Sequence, residues 1–114
     1  MIVNFYDLTH KPEQNCHGGE GTVKVARIFE KFETPIQFFH YTILPPGSSI
    51  GVHKHGDNEE FYTVLEGSGE MEVDGEKQAV SAGAVIKNKP FGTHGLKNTS
   101  DTEDLKILVF EVKR

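Results

Sequence analysis

The chain has 114 residues, a formal net charge of −5 and 36% hydrophobic residues, which suits one ordinary domain with a thin core. Acidic residues outnumber basic ones, so no basic excess is available to release counterions from phosphates, and nucleic acid is excluded as an expected partner. We therefore expect a single domain over residues 1–114.

The cysteine content and the N-terminal sequence indicate where such a protein would work. Cys16 is the only cysteine, so no internal disulfide can form and nothing points to an oxidising compartment. Residues Met1–Leu8 lack the basic segment and long apolar run of a signal peptide. The longest apolar stretch, Ile107–Phe110, is far too short to cross a membrane. We expect a cytoplasmic protein with no membrane partner.

Short apolar runs separated by Gly, Pro, Asn or Asp predict an all-β domain, because no segment sustains helical periodicity. Asp74-Gly75 predicts a hairpin, since both residues can adopt the positive φ of a type I′ turn. Pro45-Pro46-Gly47 and Lys89-Pro90 predict turns, and Asn15–Gly21 predicts a loop. Without crossover helices the pattern favours a double-sheet jelly roll over a parallel α/β sheet. The predicted strands are Ile2–Leu8, Thr22–Glu30, Ile36–Leu44, Ser49–His53, Glu59–Glu66, Gly69–Val73, Gln78–Val80, Ala84–Lys87, Gly92–Lys97 and Leu105–Val112.

Four residues form a pattern that is typical of metal ligands. His53 and His55, at i and i+2, fall on one face of a strand. Imidazole is the commonest protein ligand for Zn, Fe, Ni and Cu, and a carboxylate such as Glu60 extends the choice to Mn. With His94 they would surround a metal that keeps open coordination positions. The glycines and Lys54 around them also allow the alternative of surface histidines in a polar loop.

The intervals between these residues resemble the two motifs of the cupin superfamily, and the resemblance covers residues 36–112. The first motif is matched at Gly47, His53, His55, Glu60 and Gly67. The second motif is matched at Gly83, His94 and Asn98, whereas Pro90 and Gly92 each lie one position late.

The resemblance implies a small single-domain cupin with a double-stranded β-helix, or jelly-roll barrel. Residues 1–35 would supply N-terminal strands and a loop, and residues 36–112 would form the barrel core that carries both motifs. The barrel would hold one divalent transition metal, one of Mn, Fe, Ni, Zn, Co or Cu. The implied ligands are His53, His55, Glu60 and His94.

Strand alternation suggests which residues surround the metal. Tyr62 shares the face of Glu60 and would donate to a ligand or act as an acid, unless it is a half-buried tyrosine that reaches solvent. His40 would face the site only in one of two strand phases, and both faces of its strand are apolar. Asn98 is expected to be a structural hydrogen-bonding residue, and the loop residue His17 is given no role.

These residues favour a small metalloenzyme that acts on a small organic molecule as a dioxygenase, decarboxylase, isomerase or lyase. Glu60 is the candidate general base, with Tyr62 and His40 as further candidates for proton transfer. Cys16 lies outside both motifs, so we expect no covalent nucleophile. The alternative is a non-catalytic cupin that binds or senses a small ligand.

Two further expectations concern the ligand and the assembly. The only arginines are Arg27 and Arg114, and both lie outside the strands that carry the ligands. Cupin enzymes that act on oxalate-like dianions generally bind a carboxylate through an arginine near the metal. The lack of such an arginine counts against oxalate decarboxylation. Exposed sheet edges and apolar surface favour a homodimer, in which Phe5, Ile28 and Phe32 could pack across a two-fold axis.

Overall fold

A computed structural model describes residues 1–114 and contains ten β-strands and two short 3-10 turns, Phe5–Asp7 and Cys16–Gly18. No helix has the length and apolar character needed to cross a membrane. The strands are β1 (Lys11–Gln14), β2 (Thr22–Arg27), β3 (Ile36–Leu44), β4 (Ser49–Lys54), β5 (Asn58–Glu66), β6 (Ser68–Val73), β7 (Glu76–Ser81), β8 (Val85–Asn88), β9 (Thr93–Asn98) and β10 (Leu105–Lys113).

The strands form two antiparallel sheets, which confirms the predicted all-β jelly-roll class. The larger sheet has six strands in the order β1-β2-β3-β10-β5-β8, and the smaller has four in the order β4-β9-β6-β7. The two sheets do not join into one closed hydrogen-bonded barrel, because each sheet ends at its own edge strands. The metal-ligand candidates therefore come from both sheets of a sandwich.

The predicted strand over Ile2–Leu8 is wrong. The side chain of Asn4 accepts a hydrogen bond from the backbone N–H of Tyr6 at 3.0 Å and opens the 3-10 turn Phe5–Asp7. Such a local side-chain bond offers the backbone an alternative to strand pairing. The first strand is instead β1, which pairs with β2 through a register that places Lys11 opposite Val25.

The register of β10 fixes which residues of the larger sheet face the smaller one. Val109 lies opposite His40 on β3 and opposite Tyr62 on β5, and it is 5% exposed. Because directly paired residues share a face of the sheet, His40 and Tyr62 also point inward. The inward residues of both sheets form the main core, which includes Val23, Leu44, Val64, Met71, Leu96, Leu105 and Ile107.

The outer face of the larger sheet carries a second apolar cluster. Ala26, Ile28 and Tyr41 are buried there under the N-terminal turn, and the ring of Phe5 lies 4.8 Å from that of Tyr41. Ile28 is only 5% exposed, so its own chain already covers it. This burial removes Ile28 from the residues expected at a dimer interface, while Phe32 remains partly exposed.

Two polar residues fix the connections on either side of β9. Asp74 and Gly75 have φ of 49° and 85°, which confirms the predicted hairpin turn, and Asp74 Oδ1 accepts from the backbone N–H of Thr93 at 2.9 Å. The Asn98 amide donates to the carbonyl oxygens of Leu44 and Glu103, both at 2.8 Å. Asn98 therefore has the structural role expected of it.

Candidate metal centre

The structure brings the four predicted ligands to one point between the sheets. His53 lies on β4 and pairs directly with His94 on β9, while Glu60 faces them from β5. The Nε2 atom of His55 lies 3.1 Å from Nε2 of His53 and 3.1 Å from Nε2 of His94. The Nε2 atom of His94 lies 2.9 Å from Oε1 of Glu60. Three imidazole nitrogens and one carboxylate oxygen thus converge.

Hydrogen bonds at the far side of two rings fix their protonation. The Nδ1 atom of His53 lies 2.7 Å from the carbonyl oxygen of Gly51, which can only accept, so Nδ1 carries the proton. The Nδ1 atom of His55 lies 2.7 Å from Oδ1 of Asn58 and 3.2 Å from Oε1 of Glu111. Both Nε2 atoms then point lone pairs at each other, as in a metal site whose ligands are oriented by outer partners.

The ring of His94 is the most enclosed part of the cluster. Its side chain is 1% exposed, and its Nδ1 atom is buried without a hydrogen-bond partner. The ring of Tyr62 meets it edge-on, with 5.4 Å between the ring centroids. The contact from Nε2 to Glu60 is a hydrogen bond only while Nε2 carries the proton, whereas a cation at Nε2 requires the proton on Nδ1.

Burial and neighbouring charges set the protonation of the cluster. Burial, only partly opposed by the hydrogen bond to Gly51, lowers the pKa of His53 to about 4. Burial alone would raise the pKa of Glu60, but the hydrogen bond from His94 and the electrostatic effect of the three histidines outweigh it and lower this pKa. Neutral imidazoles and an ionised carboxylate are the forms that coordinate metals. The donor set therefore fits a divalent transition metal.

Two residues that the sequence analysis missed extend the polar cluster across the larger sheet. Glu111 on β10 and Asn88 on β8 lie opposite Glu60 on either side of it, and both point inward. Burial, followed by the charge of Glu60, raises the pKa of Glu111. Both amide atoms of Asn88 are buried without a hydrogen-bond partner. Position 111 was not recognised because β10 is apolar on both faces, so the sequence does not fix its phase.

A loop from the N-terminal region covers the edge of the cluster. The ring of His17 stacks on that of His53 with 3.6 Å between centroids, although no role was expected for His17. Asn15 and His17 adopt left-handed backbone conformations, with φ of 52° and 50°. A Cβ on Gly51 would overlap the carbonyl oxygen of His17, so only glycine lets the loop pack this closely. The adjacent glycines Gly18 and Gly19 are the feature of the sequence that could have indicated this close packing.

A cavity of about 190 Å³ lies beside the histidines and gives them access to solvent. A larger crevice of about 630 Å³ lies elsewhere, along β7 and β8, and contains no histidine. The smaller cavity is the candidate site, because the ligand candidates His53 and Glu60 line it and the crevice offers no metal donors other than surface carboxylates. The residues lining the cavity are Glu13, Cys16, His17, Val23, Val25, Phe38, His40, Thr42, Ile50, His53, Glu60, Tyr62 and Val109.

The structure places the remaining site candidates around this cavity. Tyr62 is 2% exposed, and burial followed by the charge of Glu60 raises its pKa well above the ordinary value, so it keeps its proton. His40 lines the cavity beside Phe38, and burial followed by the charge of Arg27 lowers its pKa. Sequence alone left the orientation of His40 open, and the register of β3 resolves it.

Cys16 also lines the cavity, on the loop that carries His17. Burial, followed by the charge of Glu13, raises the pKa of its thiol to about 12. The thiol therefore stays protonated at neutral pH, and a protonated thiol is a poor nucleophile.

A jelly-roll sandwich with converging histidines and a carboxylate is the arrangement on which cupins are built, and comparison with known proteins agrees. The sequence matches the family model of the cupin domain over residues 40–111, well over half of the chain. This protein belongs to the cupin family.

A curated protein sequence and a solved structure, both from Thermotoga maritima, match this chain over nearly its full length. A protein named oxalate-binding protein is 34% identical over 110 residues, which covers 95% of this chain and 90% of the relative. The crystal structure of a predicted oxalate decarboxylase superposes with a TM-score of 0.95 at 32% identity, covering 100% of both chains. The cupin domain of Schizosaccharomyces pombe Cnp3 has a TM-score of 0.81 at 15% identity, covers 100% of this chain and 74% of that one, and shows the fold alone.

Proposed function

We propose that this cupin holds one divalent transition metal through His53, His55, Glu60 and His94 and uses it to act on a small organic molecule. One observation carries the proposal. The Nε2 atoms of His53 and His55 lie 3.1 Å apart while both rings have their proton on Nδ1. Two lone pairs at that distance repel each other, and a shared cation turns the repulsion into coordination.

The chain's own residues define what could happen beside such an ion. When bound, the metal would act as a Lewis acid on a ligand oxygen, with one-electron chemistry available if it is redox-active. Glu60 would hold a proton on its carboxylate when a substrate displaces it from the metal, which makes it the candidate general base. Tyr62, which keeps its proton, would donate a hydrogen bond, and His40 lines the same cavity.

The second candidate is a cupin that binds or senses a small ligand without turning it over. The name oxalate-binding protein, carried by the similar protein sequence from Thermotoga maritima, favours this alternative. The similar crystal structure is described as a predicted oxalate decarboxylase, which favours catalysis. Incubating the metal-loaded protein with oxalate and assaying for formate and carbon dioxide separates the two for this ligand, because a binding protein consumes none of it.

We also propose a cytoplasmic homodimer. Met1 and Ile2 are fully exposed, Tyr6 is 55% exposed, and the stacked rings of Phe61 and Phe110 lie on the outer face of the larger sheet. An apolar surface of this kind is commonly covered by a second copy. Sedimentation at micromolar concentration tests the assembly, and a single species near 12.7 kDa would contradict it.

Metal analysis tests the central proposal. The protein as isolated, and after dialysis against each candidate metal, should bind one ion per chain. Alanine at His53, His55, Glu60 or His94 should lower the metal content, whereas alanine at His10, outside the cluster, should not. If all four alanine variants retain metal like the parent, the proposed centre is wrong.

A further inference from the structure

We propose that the ligand of this centre is a small monocarboxylate with an adjacent oxygen and a short apolar tail, such as a 2-oxo acid, in preference to the oxalate dianion. The inference rests on the proposed metal function and assigns its ligand class. The lining of the cavity carries it, because apolar side chains lie there beside the metal-ligand candidates His53 and Glu60.

Apolar side chains make up a large part of the cavity lining. Five of the lining side chains are valine, isoleucine or phenylalanine, and they come from three strands of the larger sheet and one of the smaller. Val23 is fully buried, Val109 is 5% exposed and Ile50 is 7% exposed, so the wall is part of the core and not a flexible surface. A ligand that fills the cavity places its far end against hydrocarbon. The five residues are Val23, Val25, Phe38, Ile50 and Val109.

The charges of the lining favour one carboxylate and not two. No lysine or arginine is among the lining residues, while Glu13 and Glu60 are. His40, one of the histidines in the lining, has its pKa lowered by burial and by the charge of Arg27, which favours its neutral form. A divalent ion that holds one glutamate keeps a net charge of about +1, which one ligand carboxylate balances. A second carboxylate would add a negative charge beside Glu13 and the apolar lining, with no lysine or arginine in the lining to balance it.

The size of the cavity limits the tail. Its volume of about 190 Å³ is below the range typical of sites for drug-sized ligands. At about 30 Å³ for each water in the liquid, it has room for about six water molecules. A 2-oxo acid with a tail of one to three carbons fits this space. Thr42, which is 4% exposed, is one of the polar residues of the lining and could accept or donate one hydrogen bond.

Calorimetric titration of the metal-loaded protein tests the ligand class. The ligands are oxalate, pyruvate, 2-oxobutanoate and 3-methyl-2-oxobutanoate, each titrated at pH 7 after metal content has been measured. Affinity should rise about fourfold for each added carbon that the wall buries, and 2-oxobutanoate should bind more tightly than oxalate. The inference is overturned if oxalate binds more tightly than all three 2-oxo acids.

A matched pair of valine variants locates the tail. Val25→Thr keeps the shape of the side chain and adds a hydroxyl to the cavity wall, while Val85→Thr makes the same change at a position that is 68% exposed on β8. Val25→Thr should reduce at least threefold the gain in affinity that the ligand's tail provides. Val85→Thr should leave that gain in affinity unchanged. Equal gains in both variants would contradict the placement of the tail on this wall.

The two proposals fail in different ways. A protein that takes up no metal refutes the metal centre before any ligand is added. A protein that binds one metal ion per chain but prefers oxalate keeps the metal centre and refutes only the ligand class. Metal content is also the check on the Val25→Thr variant, because it must equal that of the parent before its ligand series is interpreted.

Discussion

Glu111 lies directly opposite Glu60 in the antiparallel pairing of β10 with β5, and both carboxylates point toward His55. The oxygen of Glu60 lies 3.7 Å from Nε2 of that ring, and the oxygen of Glu111 lies 3.2 Å from Nδ1. One imidazole is therefore held between two carboxylates, one on each ring nitrogen. Carboxylate bonds to the outer nitrogen of a metal-binding histidine orient the ring and raise its basicity.

Replacing Glu111 by glutamine should weaken metal binding without unfolding the protein. The amide keeps the size of the side chain but removes the charge beside His55 Nδ1. Removing an outer partner of a metal-binding histidine typically lowers metal affinity about 10- to 100-fold. For Glu111→Gln we expect a loss of about tenfold, because Asn58 also accepts a hydrogen bond from His55 Nδ1 at 2.7 Å. Competition with a chelator, using zinc or cobalt, measures the change.

The control for this prediction is Glu59→Gln. Glu59 makes an exposed ion pair with Lys87 at 3.6 Å on the same strand as Glu60. Its replacement should leave metal affinity unchanged. The double variant Asn58→Ala/Glu111→Gln should lose more affinity than the two single losses combined, because each residue can support His55 Nδ1 when the other is absent. Equal affinities for the parent and Glu111→Gln would exclude this role.

Acid should destabilise the metal-free protein over a window set by His53. Burial lowers the pKa of His53 to about 4 from an ordinary value of about 6.5, so the unfolded chain binds a proton there more readily than the folded one. The contribution of the neutral His53 ring to the free energy of unfolding is fully present above about pH 6.5 and is lost as the pH falls toward 4. Urea unfolding at a series of pH values measures how steeply the free energy of unfolding depends on pH. This dependence should become shallower in His53→Gln. An unchanged slope in that variant would contradict the assignment.

Gly51→Ala should displace the loop that carries His17. The new Cβ would overlap the carbonyl oxygen of His17, which lies on a rigid backbone and not at the end of a flexible side chain. Overpacking of this kind typically costs about 1–3 kcal/mol in the free energy of unfolding. Gly56→Ala is the control, because its nearest contact is the Asn58 amide at 3.9 Å. A Gly51→Ala protein as stable as the parent would show that the loop is not packed there.

The sequence predicted most of the strands and all four convergent ligand candidates, because both depend on local periodicity and spacing. β3 was predicted with its observed bounds, and β9 to within one residue at each end. Residues whose role depends on pairing between distant strands could not be predicted. The orientation of His40 and the inward position of Glu111 follow from the register in which β10 pairs with β3 and β5. The sequence does not determine which face of β10 points inward, because both faces are apolar. The stacking of His17 on His53 depends on a close approach of two backbones, which no pattern in one strand encodes.

The carboxylate of Glu60 and the thiol of Cys16 line the same cavity, but only Glu60 should be needed for turnover. Glu60→Gln should keep the fold and part of the metal, because three imidazoles remain, but it should lose most turnover of any substrate that the protein converts. Cys16→Ser should leave turnover nearly unchanged, since burial raises the pKa of this thiol to about 12 and keeps it protonated. Metal content and turnover are measured on the same samples. Activity that survives complete chelation, or that disappears in Cys16→Ser while metal stays bound, would rule out a reaction centred on the metal.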